Sequence, residues 1–214
     1  MAMIKSALEL ALERSKDIQV DEVALAANAS RTEGKKAAGR YLDDPASSSL
    51  TESLAQCPKE HRAAMREGMF DVLAAQIQLP LNDASVAKLE VLAAGFSTLA
   101  GSSGGGLIGG AAAVVADKRV QALFQQLSGF FKQYLEDMKN VEQAIRKQWA
   151  PRIREKERQM AARMGQDVRI DPMSDPEFAA FYKQNVSAAR AEYEAALAKA
   201  KDDLAAMLGI AKKE

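Results

Sequence analysis

The sequence predicts an all-α protein, and three observations support this fold class. Alanine is abundant, at 41 of the 214 residues, and together with Glu, Lys, Leu and Arg it favours helix. Aromatic residues make up only 6% of the chain and β-branched residues are sparse, so few segments suit a strand. The clearest pattern is a run of apolar residues at alternating steps of four and three, which indicates a long helix in the second half of the chain.

That run forms a heptad seam, which comprises Val120, Phe124, Leu127, Phe131, Tyr134, Met138, Val141 and Ile145. A heptad repeat of this length predicts a coiled-coil-like helix from Asp117 to Ala150. We expect Pro151 to kink or end this helix, although Ile153, Met160 and Met164 continue its apolar stripe.

A second long helix is predicted after a connector over residues 165–176. Ser174 and Glu177 have the spacing of a capping box, and Pro176 suits a first helical turn. The predicted apolar face combines aromatic residues with small ones: Phe178, Tyr182, Val186, Ala189, Tyr193, Ala196, Ala200, Leu204 and Met207. Because the connector is short, residues 117–214 are predicted to form a long antiparallel helical hairpin.

The N-terminal region, residues 1–100, is predicted to form a layer of shorter helices packed with the hairpin. An amphipathic pattern covers residues 2–16, and four further helices are expected before residue 100. Gly34 and Gly39 are expected to weaken the first of these four by about 1 kcal/mol each relative to alanine. The predicted capping residues are Asp21, Ser49 with Glu52, and Asn82 or Asp83, and the predicted stop signals are Pro45, Pro58 and Pro80.

Residues 101–116 are predicted to be a glycine- and alanine-rich hinge between the two regions. The spacing Gly104-x-Gly106-x-x-Gly109 literally matches a dinucleotide-binding fingerprint. It follows a helical pattern instead of a strand, so no nucleotide cofactor is expected. Hinge freedom or a close helix crossing is the favoured interpretation, and its candidate residues are Gly104, Gly105, Gly106 and Gly109.

Membrane insertion is an alternative interpretation of the same part of the chain. No charged residue occurs in residues 91–116, so this stretch suits a conditionally inserting helical hairpin. Seven of these residues are glycine, however, which limits the free energy gained on transfer into lipid. A stable membrane span is therefore not expected.

Residues that usually supply catalysis or bind metals are scarce. The chain has one cysteine, Cys57, and one histidine, His61, with Pro58 between them. These two side chains cannot complete a soft-metal site, and no third group is evident to orient a Cys–His nucleophile pair. We therefore expect neither enzymatic activity nor a metal or other cofactor. One thiol, and the lack of an uninterrupted apolar segment near the N-terminus, predict a cytoplasmic protein.

Residues 146–163 are strongly basic, with seven basic residues against two acidic ones around the only tryptophan, Trp149. RNA, phosphate groups or an anionic membrane are possible ligands, and the alternative is a solvated helix face with local ion pairs. The whole chain balances 29 basic against 29 acidic residues, so nucleic acid is an unfavoured partner. The candidate polyanion-contact residues are Arg146, Lys147, Arg152, Arg154, Lys156 and Arg158.

Two N-terminal segments, residues 4–16 (IKSALELALERSK) and 33–39 (EGKKAAG), resemble a family of uncharacterised bacterial helical proteins. The resemblance implies a bacterial cytoplasmic origin, and it implies no activity and no site residues. Together with the patterns above, it favours a non-enzymatic structural or protein-interaction protein that forms homo-oligomers or binds a protein partner. The alternatives are a polyanion- or ligand-binding protein that uses residues 146–163 or the glycine-rich joint, and a conditionally membrane-inserting helical protein.

Overall fold

The computed structural model describes residues 22–102 and 111–210, and all regular secondary structure in these two ranges is helical. The predicted all-α class is confirmed. The predicted helix over residues 2–16 and the four candidate hinge glycines lie outside the described residues. The six α-helices are α1 Glu22–Asp43, α2 Leu50–Gln56, α3 Arg62–Ala75, α4 Asp83–Gly101, α5 Ala111–Met164 and α6 Pro176–Met207.

The chain divides into two compact units between Val72 and Leu73. The predicted N-terminal region 1–100 is therefore split, because α4 belongs to the same unit as α5 and α6. Residues 111–116, which were predicted to be part of the hinge, form the first turns of α5 instead. The alanines and valines of that segment are compatible with helix, and only glycines need the freedom of a hinge.

In the first unit, α1 and the N-terminal part of α3 touch through their backbones. A Cβ atom added to Gly34 would lie 2.1 Å from the carbonyl oxygen of Met65, and one added to Gly68 would lie 2.0 Å from that of Arg31. Glycine is therefore required at both positions. The prediction that Gly34 only weakens its helix was incomplete, whereas Gly39 has open space around its Cα and fits that prediction.

In the second unit, α4 begins at the predicted capping residue. The Asn82 side chain accepts a hydrogen bond from the backbone N–H of Ser85 at 3.1 Å. The buried face of α4 packs on α5, and the rings of Phe96 and Phe124 lie 5.5 Å apart between their centroids. Because only nine residues of sequence separate the end of α4 from the start of α5, the two packed helices are antiparallel neighbours.

Helix α5 continues through Pro151 to Met164, so it does not end at the proline, which was one of the two expected outcomes. Pro151 is exposed, while Trp149 before it and Ile153 after it are both buried. Packing on both sides of the proline offsets the loss of one backbone hydrogen bond. The predicted stripe ends at Ile153, because Met160 and Met164 are exposed.

The contacts between α5 and α6 run in opposite directions along the two helices. The hydroxyl groups of Tyr193 and Tyr182 donate to the carboxylates of Asp137 and Glu142, respectively. Further along α5, Trp149 packs on Phe178, with 5.8 Å between their ring centroids. Residue numbers fall along α6 as they rise along α5, so the two helices lie antiparallel. A supercoiled coiled-coil geometry stays a prediction.

The start and the buried face of α6 both differ from the sequence prediction. Asp175 caps the helix in place of Ser174, because its carboxylate accepts hydrogen bonds from the backbone N–H groups of Glu177 and Phe178. The buried or half-buried residues recur at steps of four, four and three: Phe178, Tyr182, Val186, Ala189, Tyr193, Leu197, Ala200, Leu204 and Leu208. The predicted face follows this 11-residue repeat as far as Tyr193 and departs from it at the next position, because Leu197 is buried and Ala196 is exposed.

Candidate functional site

A groove with a volume of about 840 Å³ runs between α4 and α5. Leu89 and Phe124 are buried in its floor, and Val86 and Ala93 are half-buried beside them. Exposed polar and charged side chains form its two rims. The α4–α5 groove therefore combines an apolar floor with polar edges.

The spacing of the lining residues makes this groove long and straight. On α4 the lining extends from Asp83 to Ser97, a rise of about 21 Å at 1.5 Å per residue. On α5 it extends from Gln121 to Lys132 at steps of three or four residues. Each helix therefore presents one continuous face to the groove over three or more turns.

The charges on the two rims are opposite in sign. Asp83 and Glu90 lie seven residues apart on α4, which separates them by about 10 Å along the helix axis. Lys132 lies on the α5 rim. All three side chains are exposed, and within the described part of the chain none of them has an ion-pair partner.

Three of the predicted polyanion-contact residues share one exposed face of α5. Lys147, Arg154 and Arg158 are spaced seven and four residues apart, which places them on the side opposite the buried Trp149 and Ile153. We call these three residues the basic face. Its only ion pair among the described residues joins Arg158 to Glu155 at 3.9 Å, where both side chains are well exposed.

The remaining predicted residues do not join the basic face. Arg146 is exposed on another side of the helix. The guanidinium of Arg152 lies 4.8 Å from the centroid of the Trp149 ring, and the ring itself is buried against Phe178 and Phe181. Trp149 is therefore part of the core and has no free face on which a nucleotide base could stack.

Lys156 serves the structure as a counter-ion. Its ammonium group donates to Asp175 at 2.5 Å and to Glu177 at 3.2 Å. The hydrogen bond from Lys156, with those from the backbone of Phe178 and Glu177, lowers the pKa of Asp175. The same bond to Asp175 raises the pKa of Lys156. Lys156 thereby holds the capping residue of α6 in its charged form.

A smaller cavity, of about 490 Å³, lies where α5 ends and α6 begins. Arg163 and Arg169 line it together with Lys156, and the acidic residues Asp171 and Asp175 line it as well. No pattern in the sequence singles out Arg169, because it follows α5 in the connector. The carboxylates offset much of the positive charge, so this cavity is a weaker candidate site than the groove.

The described residues hold no cluster of three His, Cys, Asp or Glu side chains that could bind a metal ion. Cys57 is buried, and burial raises the pKa of its thiol, which makes it a poor nucleophile. The hydrogen bond to Asp137 raises the pKa of Tyr193 to about 12, so this phenol stays protonated near neutral pH. None of the helices in the described ranges has both the length and the apolar character needed to cross a membrane.

These observations define an all-α protein with an open groove between two antiparallel helices and a separate basic face. Residues 51–206 match the model of a family of unknown function (DUF6657), and the chain belongs to that family. The predicted membership of an uncharacterised family is confirmed, although the match lies outside the two N-terminal segments that carried the resemblance. No curated protein and no solved structure matches the chain.

Proposed function

We propose that this is a non-enzymatic interaction protein of the cytoplasm, and that its α4–α5 groove binds an amphipathic helix. The single observation that carries the proposal is the groove itself, which has an apolar floor, two charged rims and a length of about four helical turns. The cytoplasmic location rests on the single cysteine in the sequence.

A helix suits this groove better than a small molecule does. Small-molecule sites are usually concave and enclose most of the ligand, with a few polar groups converging on it. The α4–α5 groove is instead open along its length, and its strongest polar groups stand on opposite rims. This arrangement is typical of grooves that take the apolar face of a helix through residues at steps of three and four.

The rim charges specify the edges of the bound helix. Asp83 and Glu90 favour two cations seven residues apart on one edge, and Lys132 favours an anion on the other. Exposed ion pairs contribute little free energy, so these charges determine orientation and partner choice while the floor supplies most of the affinity.

The test uses a synthetic helical peptide of about 15 residues, the length that matches the groove. It carries an alanine and leucine stripe, two lysines seven residues apart on one edge and a glutamate on the other. We expect binding by fluorescence anisotropy, weakened at least about tenfold by Ala94→Trp, which fills the groove from an exposed position. Ala144→Trp, at an exposed site on α5 away from the groove, is the matched control.

A second peptide has the same apolar stripe and inverted charges on its two edges. It tests whether the rim charges select the peptide or whether binding depends on apolar contact alone. We expect it to bind more weakly than the first peptide. Absence of binding by both peptides, or equal weakening by Ala94→Trp and Ala144→Trp, would rule out the groove as a helix-binding site.

Polyanion binding is a second candidate function, because Lys147, Arg154 and Arg158 stand together on one exposed face. Replacing all three with glutamine should weaken binding to heparin or to anionic liposomes and reduce its dependence on salt. Arg152→Gln is the control, because Arg152 packs on the Trp149 ring. If the wild-type protein binds neither probe at low salt, this second function is wrong.

A further inference from the structure

We propose that the helix bound in the α4–α5 groove is α6 of a second copy of the same chain. This inference rests on the proposed function, because it names the occupant of the same groove. The outward side of α6 supplies a stripe of four exposed alanines, Ala188, Ala191, Ala195 and Ala198, at steps of three and four. We call these residues the alanine stripe.

The alanine stripe lies on the side of α6 opposite its contact with α5. Tyr182, Tyr193 and Leu197 lie on the inward side of α6. The hydroxyl groups of both tyrosines donate hydrogen bonds to carboxylates of α5, and Leu197 is buried. Small side chains allow two helix axes to approach closely, which suits a groove whose own upper walls include Ala87 and Ala94. Because a stripe of small residues fits many grooves, it does not identify the partner by itself. The charged residues that flank the alanine stripe are the independent observation that points to this groove.

The charges beside the alanine stripe complement those of the groove. At about 100° per residue, Lys183 and Arg190 lie on one edge of the stripe, together with Glu194, which is paired with Arg190, and Glu192 lies on the other edge. Lys183 and Arg190 are seven residues apart, the spacing that separates Asp83 from Glu90 on the groove rim. Glu192 is at the height of Arg190 on the opposite edge.

The groove has two acidic residues on its α4 rim and one basic residue on its α5 rim, which is the reverse of the charges of Lys183, Arg190 and Glu192 on α6. Because α4 and α5 are antiparallel and Phe96 meets Phe124, Glu90 and Lys132 lie at similar heights on opposite rims. When α6 of the second copy runs parallel to α4, the right-handed rotation of both helices directs its Lys183 edge toward the α4 rim. This orientation pairs Lys183 with Asp83, Arg190 with Glu90, and Glu192 with Lys132.

Arg190 already bonds Glu194 of its own helix at 2.7 Å. Both side chains of this pair are exposed, so the bond contributes little to stability and leaves further guanidinium donors for Glu90. Lys183 and Glu192 have no ion-pair partner among the described residues. The interface is heterologous, because a groove in one copy takes α6 of the next, so it generates rings or linear chains.

The test exploits this heterologous geometry with two full-length charge-reversal variants. In the Glu90→Arg variant, the groove of one copy repels Arg190 on α6 of another copy. In the Arg190→Glu variant, α6 of one copy repels Glu90 in the groove of another. Each variant alone should associate at least about tenfold more weakly than the wild type in sedimentation equilibrium. An equimolar mixture should associate as the wild type does, because each groove then meets a helix of the opposite charge.

Glu155→Arg, an exposed reversal more than twenty residues beyond Lys132 on α5, is the matched control and should associate as the wild type does. Circular dichroism confirms that the exposed substitutions leave the fold intact. Equal association of the two variants and the wild type, or a mixture that does not recover, would overturn the proposal. A wild-type protein that stays at 23.1 kDa while its groove binds the synthetic peptide would remove the second copy as occupant and leave the proposed function standing.

Discussion

Gly34 and Gly39 belong to the same helix, yet their surroundings impose opposite requirements. The backbone of Met65 occupies the space of a Cβ at Gly34, whereas nothing lies within 4 Å of one at Gly39. Composition and propensity predict the cost of both glycines in a helix, because that cost is local. They cannot predict the need for Gly34, because it arises from a chain segment thirty residues away that only the fold brings close.

Alanine substitutions at these two glycines should therefore change stability in opposite directions. Gly34→Ala is expected to lower the free energy of unfolding by about 1–3 kcal/mol, because the two helices must move apart. Gly39→Ala should raise it by about 0.5–1 kcal/mol through reduced backbone entropy of the unfolded chain. Urea unfolding followed by circular dichroism measures both changes. A shift of the same sign for the two variants would contradict the backbone contact between α1 and α3 at Gly34.

The capping carboxylate of Asp175 makes a second prediction at the residue scale. Its pKa is lower in the folded protein than its ordinary value of 3.8, so the charged form stabilises the fold above that pH. This stabilisation is lost as the pH falls through the folded-state pKa, where the unfolded chain already binds the proton. The free-energy difference between the wild type and Asp175→Asn should thus be largest near neutral pH and shrink on acidification.

Ser174→Ala is the control for this measurement. The Ser174 side chain bonds only the carbonyl of Asp171 and does not cap α6, so its substitution should add no comparable pH dependence. A wild-type advantage over Asp175→Asn that is constant from pH 7 to below the ordinary pKa would show that the carboxylate charge has no stabilising role.

At the scale of the helix, periodicity predicted the long helix α5 and most of its buried seam. The same approach misplaced part of α6, because a step of three was predicted after Tyr193 where the structure has a step of four. The structure instead repeats steps of four, four and three, which keeps Leu197 against α5 and turns Ala196 outward. Alanine is compatible with either side of a helix, so its identity could not correct the choice of period.

Substitutions at these neighbouring positions should separate the two periods. Leu197→Ala removes a buried side chain and should cost about 2–5 kcal/mol of unfolding free energy. Ala196→Trp adds a large side chain at an exposed position and should change it by less than about 0.5 kcal/mol. Chemical denaturation of the two variants gives the comparison, and a larger loss for Ala196→Trp would restore the predicted face through Ala196.

At the scale of the whole molecule, the sequence predicted the fold class, but it did not predict the groove. The floor and rims of the α4–α5 groove come from two separate segments, residues 83–97 and 121–132, and their faces become one surface only when the helices pack. In the sequence, Asp83 is a candidate capping residue, and no pattern singles out Glu90 or Lys132. Charge clustering singled out six basic residues, of which Lys147, Arg154 and Arg158 share one exposed face of α5, and their contact with a polyanion stays a prediction.

Occupancy of the groove is the central claim, and a single fluorescent probe tests it directly. In a Cys57→Ala background, Gln125→Cys carries an environment-sensitive dye on the rim of the groove, and Ala144→Cys carries the same dye on the exposed side of α5. The emission at position 125 should move to shorter wavelength when the synthetic peptide is added and when unlabelled protein is added. The emission at position 144 should stay constant. A dye at position 125 that responds to neither addition would contradict the account.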